Sequence, residues 1–386
     1  MNDRLEMVLV DDEFRVTDAL VREIRLIFGN DTFAIKSFND PVAAAEYIAS
    51  HGDSIFLVIS DLRMPVMSGS ELLTFVRETS SQIQTILLTA YTDIEDIQKA
   101  ISASIQSLLF KPWTRESLKA EITKALNLWN IQNENRILSQ RIESMLKEAG
   151  EFQKNLFASN LPDMEQLHIE LSFLPLETYH CGGDFFEFRQ LDESHVFVIL
   201  GDVSGHGLKS AIIAVMLKTA MDEMIKGNPA RLYKPDTLVS TLNNYFCSLL
   251  KSAPEVLVGF AAMVIDTKEG KYSIASAGIP SIIHIHQHVP ELIISSNPVL
   301  GAFVDAQFLQ IERNYREGDQ LFLFTDGLIE SVPHFFSMKD ESIIDLINKY
   351  REQPIETIVA AFRSSLPGGK FTDDVTLISI RLSSEK

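Results

Sequence analysis

The sequence predicts a doubly wound α/β domain, a long helical segment and an α+β domain of layered sheets, in that order. Three observations predict it. Continuous apolar runs alternate with amphipathic helical patterns as far as residue 124; a heptad pattern without strand signal follows; from about residue 161 alternating strands are interspersed with helices. A length of 386 residues suits two or three folding units. The expected boundaries are 1–124, 125–160 and 161–386.

In the first region MVLVDDE, AIKSF, FLVISD, TILLTA and SLLFKP read as five buried strands, with helices beginning near Phe14, Pro41, Ser70, Thr92 and Thr114. Strands that are apolar throughout and separated by helices form a parallel sheet covered on both faces. In the second region Leu128, Ile131, Asn135, Leu138, Ile142, Met145, Ala149, Phe152 and Leu156 recur at alternating gaps of three and four, a heptad seam with Asn135 at an a position. Either a two-stranded coiled coil or packing on a neighbouring domain of the same chain would bury that seam. Gly150 lies off the seam but inside the helix, where glycine costs about 1 kcal/mol relative to Ala, so a weak point or hinge is expected there. In the third region VFVILGDVS, GFAAMVID, KYSIASAG, SIIHIHQH, QLFLFTDG and VTLISIRL read as strands, with helices near 208–226, 236–251, 340–349 and 354–364.

Composition excludes several function classes. The 34 Lys and Arg against 53 Asp and Glu leave a net charge of -19, which repels nucleic acid and anionic membranes. A DNA-binding regulator would also need a basic recognition helix after residue 125, and the acidic remainder offers none. Cys181 and Cys247 are too few for a disulfide framework and form no CxxC or CxxH pair, which fits a reducing cytosol. No stretch approaches the roughly 18 apolar residues of a membrane span, so a soluble, cytoplasmic protein is expected.

Two groups of acidic residues carry the chemistry. In the first region Asp11 and Asp12 end the first strand, Asp61 the third, Thr89 the fourth and Lys111 the fifth. The carboxyl edge of a doubly wound sheet is where ligands bind, so these residues converge on one crevice. Three carboxylates brought together need a cation, and Mg²⁺ with oxygen ligands fits. A phosphoryl group on Asp61 would be paired by Lys111 and would accept a hydrogen bond from Thr89. Taken singly, any such Asp is better read as a helix cap; the five positions together are not.

This constellation resembles the receiver domain of bacterial response regulators, over roughly residues 5 to 125, with DD, D-L-R-M-P, T-A and K-P in order at strand ends. The resemblance implies that Asp61 is the phosphoacceptor, that Asp11, Asp12 and the Arg63 carbonyl hold Mg²⁺ with Asp61, and that Thr89 and Lys111 sense the phosphate. It also implies a cognate sensor histidine kinase. One departure is Leu108, three residues before Lys111, where many receivers carry a switching aromatic; Tyr91 is the available substitute.

In the third region the segments C-G-G-D-F-F (181–186), G-D-V-S-G-H-G (201–207), F-T-D-G (324–327) and F-T-D-D-V-T (371–376) each join an apolar strand to a Gly or Thr turn. Glycine admits close approach of backbone, and several carboxylates without Lys or Arg nearby suggest two bridged divalent cations. Gly201 to Ser210 fails the spacing of a phosphate-binding loop, because Leu208 separates Gly207 from Lys209. His206, between two glycines, reads as loop structure. His284, His286 and His288 fall at period two and could face zinc, but no fourth ligand is evident, and they read as the polar face of a hairpin strand.

Together the four segments resemble the metal-dependent protein phosphatases of type 2C, in the bacterial branch typified by sporulation and stress-response phosphatases, from about Phe152 to Arg381. The Q-K-N-L-F-A-S-N-L-P entry and N-P-V-L-G at 297–301 belong to the likeness. It implies that Asp184 and Asp202 bridge two Mn²⁺ or Mg²⁺, that the Val203 carbonyl adds a ligand, that Asp326 and Asp373 complete the site, and that Asp374 either binds a further metal or braces the loop. The chain departs from the family at Ala277-Gly278-Ile279-Pro280, where a histidine is common. The implied activity is hydrolysis of phosphoserine or phosphothreonine on an anti-sigma-factor antagonist, under receiver control, and the heptad seam with Asn135 at an a position predicts a homodimer joined through the 128–156 helix. The alternative is a non-catalytic adaptor that uses the phosphatase-like domain to dock or sequester a partner. Intact Asp184, Asp202, Asp326 and Asp373 favour the enzyme, since a scaffold has no need of clustered carboxylates.

Overall fold

The computed structural model describes residues 4–90, 106–157, 161–162, 164–176, 178–249, 255–278, 282–330 and 341–383. It forms two compact units, Met1–Arg141 and Ile142–Lys386.

The first unit contains β1 (Glu6–Val10), α1 (Phe14–Phe28), β2 (Ala34–Phe38), α2 (Pro41–His51), β3 (Ile55–Asp61), α3 (Gly69–Thr79), β4 (Gln84–Ala90), β5 (Ser107–Lys111) and the start of α4 (Arg115–Phe157). The strands run parallel in the order β2-β1-β3-β4-β5. Every residue of β3 is buried, because helices cover both faces; β2 and β5, at the edges, are only partly buried, contrary to the expectation of five buried strands. Met7, Leu9, Ile59 and Leu88 face one core and Val8, Val10, Val58 and Leu87 the other, so the apolar runs are two alternating patterns superposed. Asp40 caps α2 at the Val42 N–H, and Ser68 and Glu71 form a reciprocal cap on α3. The helix expected near Thr92 lies outside the described residues, as do Tyr91, Ile279 and Pro280.

The second unit continues with β6 (Leu167–Leu174), β7 (Phe185–Gln190), β8 (His195–Val203), α5 (Leu208–Gly227), α6 (Pro235–Leu249), β9 (Val258–Asp266), β10 (Lys271–Ala277), β11 (Ile282–His286), β12 (Val289–Ile293), β13 (Ile311–Asn314), β14 (Gln320–Phe324), α7 (Gly327–Glu330), α8 (Glu341–Tyr350), α9 (Ile355–Ser365) and β15 (Val375–Leu382). Two antiparallel sheets form, β13-β10-β9-β8-β7 and β12-β11-β14-β15-β6. Leu321, Leu323, Ile378 and Ile380 share a core with Phe197, Phe260 and Met263 of the other sheet, while Phe322, Phe324, Val375 and Leu377 pack on α8 and α9. With α5 and α6 joined to the first of these cores, the unit is helices, sheet, sheet, helices.

Helix α4 is continuous through Gly150, which is buried rather than a hinge: a Cβ there would overlap the His180 carbonyl. Gln153 and Phe157 follow at three- and four-residue steps on that face; both are buried, and the Phe157 ring lies 6.2 Å from that of Phe185. The heptad seam is a different stripe. Leu138, Ile142, Met145 and Phe152 are each more than half exposed.

Candidate functional site

The first acidic site lies at the carboxyl edge of the parallel sheet. Asp11 and Asp61 are buried there, and Lys111, arriving on the far strand β5, joins them: its Nζ donates to Asp11 Oδ2 at 2.7 Å and pairs with Asp61. Asp11 Oδ1 accepts the Glu13 N–H at 2.9 Å, and Asp61 Oδ2 accepts the Arg63 N–H at 3.1 Å. Gly69 is required because a Cβ would strike the Asp61 carbonyl, and its N–H instead closes on Leu62 O at 3.0 Å. Burial pushes the Asp61 carboxyl up, a rise that Lys111 only partly offsets. Burial alone would pull the Lys111 ammonium down, but hydrogen bonds to Asp11 and Asp61 outweigh it and hold the ammonium above the usual lysine value. Thr89 is buried at the end of β4, one residue past Leu88, the partner of Asp61 across the sheet. Asp12 is exposed beside Asp11. Leu108 is partly buried and packs against the core that contains Val58 and Leu87.

The second acidic site is built by both sheets of the second unit. Asp184 precedes β7 and Asp202 lies near the end of β8; Asp326 follows β14, and Asp373 and Asp374 precede β15. Asp184 is wholly buried. Its Oδ2 accepts the hydroxyls of Thr325 at 2.9 Å and Thr376 at 2.6 Å, while Oδ1 has no partner. The Thr325 Oγ1 in turn accepts the Thr376 N–H at 2.9 Å, which ties β14 to β15 beneath the carboxylate. Gly182 and Gly183 carry the loop through a narrow gap, since a Cβ on the first would overlap the Asp374 carboxylate and one on the second the Val203 carbonyl. Asp374 accepts the Leu176 N–H at 2.7 Å on one oxygen and the Gly183 N–H at 2.8 Å on the other, which braces both loops.

Burial pushes all four of Asp184, Asp202, Asp373 and Asp374 up, Asp184 and Asp202 strongly, and neighbouring carboxylates push further. Asp202 is pushed up further by the nearby carboxylates of Asp184, Asp326 and Asp373. The charged groups acting most strongly on Asp184 and Asp202 are all carboxylates. An unpartnered buried oxygen among carboxylates that raise one another is a donor set suited to hard divalent metals, so these residues fit such ions. His206 stacks on Tyr179 with ring centroids 4.9 Å apart.

Three contributors were not legible as site residues. Thr325 and Thr376 stand 141 and 192 positions from the Asp184 they hold. Gln153 of α4 donates from Nε2 to Gly182 O at 2.7 Å and accepts the Gly182 N–H at 3.1 Å, a two-point clamp two residues before Asp184. The threonines could have been found as the residues flanking Asp in F-T-D-G and F-T-D-D-V-T; Gln153 offered only its place one position after the seam residue Phe152.

The fold and these sites define a receiver joined to a phosphatase-type domain. Residues 7–123 match the response regulator receiver domain family and residues 192–383 match the stage II sporulation protein E family. The chain therefore combines a receiver domain with a type 2C domain of the sporulation-phosphatase family. It is 24% identical to the phosphoserine phosphatase RsbU of Bacillus subtilis over 251 residues, 64% of this chain and 72% of that protein. To the phosphoserine phosphatase RsbP of the same organism it is 25% identical over 188 residues, 48% of this chain and 44% of that one. The SiaA-PP2C domain of Pseudomonas aeruginosa shares the fold, at a TM-score of 0.53 and 20% identity, over 63% of this chain and 98% of that domain. Among the described residues no helix is long and apolar enough to cross a membrane.

Proposed function

We propose that this chain is a response regulator whose carboxyl-terminal domain hydrolyses phosphoserine or phosphothreonine on a small partner-switching protein of the anti-sigma-factor-antagonist type. The observation that carries the reading is the unpartnered Asp184 Oδ1 among carboxylates whose strongest charged neighbours are other carboxylates. Asp184, Asp202, the Val203 carbonyl, Asp326 and Asp373 would hold two Mn²⁺ or Mg²⁺, with Asp374 adding to them or bracing the loop. When bound, such ions supply positive charge for the phosphoryl oxygens and a water acidified towards neutral pH. Thr325 and Thr376 fix one oxygen of Asp184 and leave the other for a cation. Water attacks phosphorus, the P–O bond to the serine or threonine breaks, and that oxygen leaves with a proton.

In the receiver, an Asp61 oxygen takes the phosphoryl group from a sensor histidine kinase, with Mg²⁺ held by Asp11, Asp12, Asp61 and the Arg63 carbonyl. Lys111 and the Thr89 hydroxyl meet the new oxygens. The exposed seam of α4, with Asn135 at an a position, supports a parallel homodimer. Hydrolysis of a serine-phosphorylated protein is the test, with Mn²⁺ and with or without acetyl phosphate. Turnover should require Mn²⁺ and should change on acetyl phosphate treatment in the wild type but not in Asp61→Asn. Metal-independent turnover would overturn the assignment, and an equal response of Asp61→Asn would remove the receiver from it.

A further inference from the structure

We infer that His284, His286 and Asp319 form a separate binding site for a zinc-like transition metal, at the end of their sheet away from the acidic site. Asp319 precedes β14 and Asp326 follows it, so at about 3.3 Å per residue the two sites stand roughly 20 Å apart. One ligand atom from each of the three residues lies within 4.8 Å of the others. His284 Nε2 is 3.3 Å from Asp319 Oδ2 and His286 Nδ1 is 2.7 Å from the same oxygen. Bonds of about 2.0 Å in a tetrahedral site place ligands about 3.3 Å apart, so the first spacing is already right and the second opens by about half an ångström.

The surroundings suit a metal. Asp319 and His284 are almost fully buried, and His286 is partly open, which leaves room for water in a fourth position. His284 uses its other nitrogen, Nδ1, on the Tyr272 hydroxyl at 3.1 Å, the outer contact that fixes which nitrogen faces a metal. Asp319 is anchored by the Arg316 N–H at 2.8 Å and the Gln287 N–H at 3.4 Å. In each neutral ring metal binding takes the place of the N–H aimed at Asp319 and the proton moves to the other nitrogen, where on His284 it is donated to the Tyr272 hydroxyl oxygen. Imidazole nitrogens with one carboxylate favour zinc and its neighbours over Mg²⁺, which prefers oxygen.

The expectation that these histidines are the polar face of a hairpin strand fails at His284, which is buried, and the third histidine of the period-two set does not join the site. β11 ends at His286, and Gln287 and His288 form the turn to β12 with φ of 48° and 70°. His288 therefore leaves the strand face and bonds Arg351 at 2.7 Å, while Asp319 takes its place.

The test uses the full chain with saturating Mg²⁺ to occupy the oxygen sites, equilibrium dialysis against Zn²⁺, and cobalt as a visible probe. Wild type and His288→Gln should each hold one more Zn²⁺ per chain than His286→Gln, and Co²⁺ should give the intense visible absorption of a tetrahedral site in the first two alone. A hundredfold excess of Zn²⁺ over its dissociation constant should raise the wild-type Tm by roughly 5–10 °C and leave that of His286→Gln unmoved. Because His286 is partly exposed, its replacement leaves the fold intact. Equal zinc stoichiometry in wild type and His286→Gln, or loss of zinc in His288→Gln, would overturn the inference.

Discussion

The two acidic sites solve the same electrostatic problem in opposite ways. In the receiver, Asp11 and Asp61 are buried side by side, and the chain supplies the counter-charge itself through Lys111. In the second unit Asp184, Asp202, Asp326, Asp373 and Asp374 gather without such a lysine among their strongest neighbours, and their carboxyls are held together by hydroxyls and backbone amides. A site with its own cation is poised to accept one extra charged group and release it. On the proposed function, a site without one would rely on metal. The sharpest way to break this comparison is Asp202→Ala or Asp326→Ala. Either should cut hydrolysis by about a thousandfold or more, several kcal/mol of lost charge stabilisation, while the metal-free protein becomes more heat-stable as repulsion falls. Full Mn²⁺-dependent turnover by either variant would mean that the cluster is not the catalytic centre.

Removing the internal cation should convert the first site into the second kind. Lys111→Gln leaves Asp11 and Asp61 facing each other unpaired. Since Lys111 is partly exposed, the loss of stability should be about 1–2 kcal/mol rather than the full cost of a buried pair. The receiver's melting transition should then depend on Mg²⁺ more steeply than in the wild type. Calorimetry across a Mg²⁺ titration measures this, and unchanged dependence would show that Lys111 is not what balances the charge.

The central strands were readable because both of their faces are buried: β14 and β15 serve the inter-sheet core and the helix layer alternately, so apolar residues dominate both faces and Gln320, Thr376, Ser379 and Arg381 are the polar exceptions. The four strands missed, β6, β7, β12 and β13, are the four edges of the two sheets. Edges carry the charges and proline that spoil a hydrophobic pattern, as Pro290 and Glu291 do in β12 and Glu312 and Arg313 in β13. The acidic residues were legible because each stands in a compact motif. The clamp by Gln153 was not, because it acts across 29 positions. It leads to the next expectation: Gln153→Ala leaves the Gly182 N–H and C=O unpaired in the interior and loosens the loop carrying Asp184. The Mn²⁺ concentration for half-maximal hydrolysis should rise about tenfold, with turnover at saturating metal falling less. A fall in turnover at unchanged metal requirement would place Gln153 outside the metal site's support.

The smallest effect separates the two sites by pH. Asp184, Asp202, Asp373 and Asp374 all have carboxyls raised in the folded chain by burial. Above the ordinary carboxylate value of about 4 the folded protein therefore holds more protons than the unfolded one, and stability falls as pH rises towards the raised values. Between pH 5 and 8 in EDTA, the melting temperature of the second unit should drop by roughly 5 °C. Mn²⁺ replaces those protons, so the slope should flatten when it is added. In the receiver, burial raises Asp61 but Lys111 opposes the rise, so its transition should move in the same direction and by less. Melting curves at several pH values, with and without Mn²⁺, read both slopes in one experiment. Equal slopes for the two units, or a slope in the second unit that ignores Mn²⁺, would show that its carboxylates are balanced from within after all.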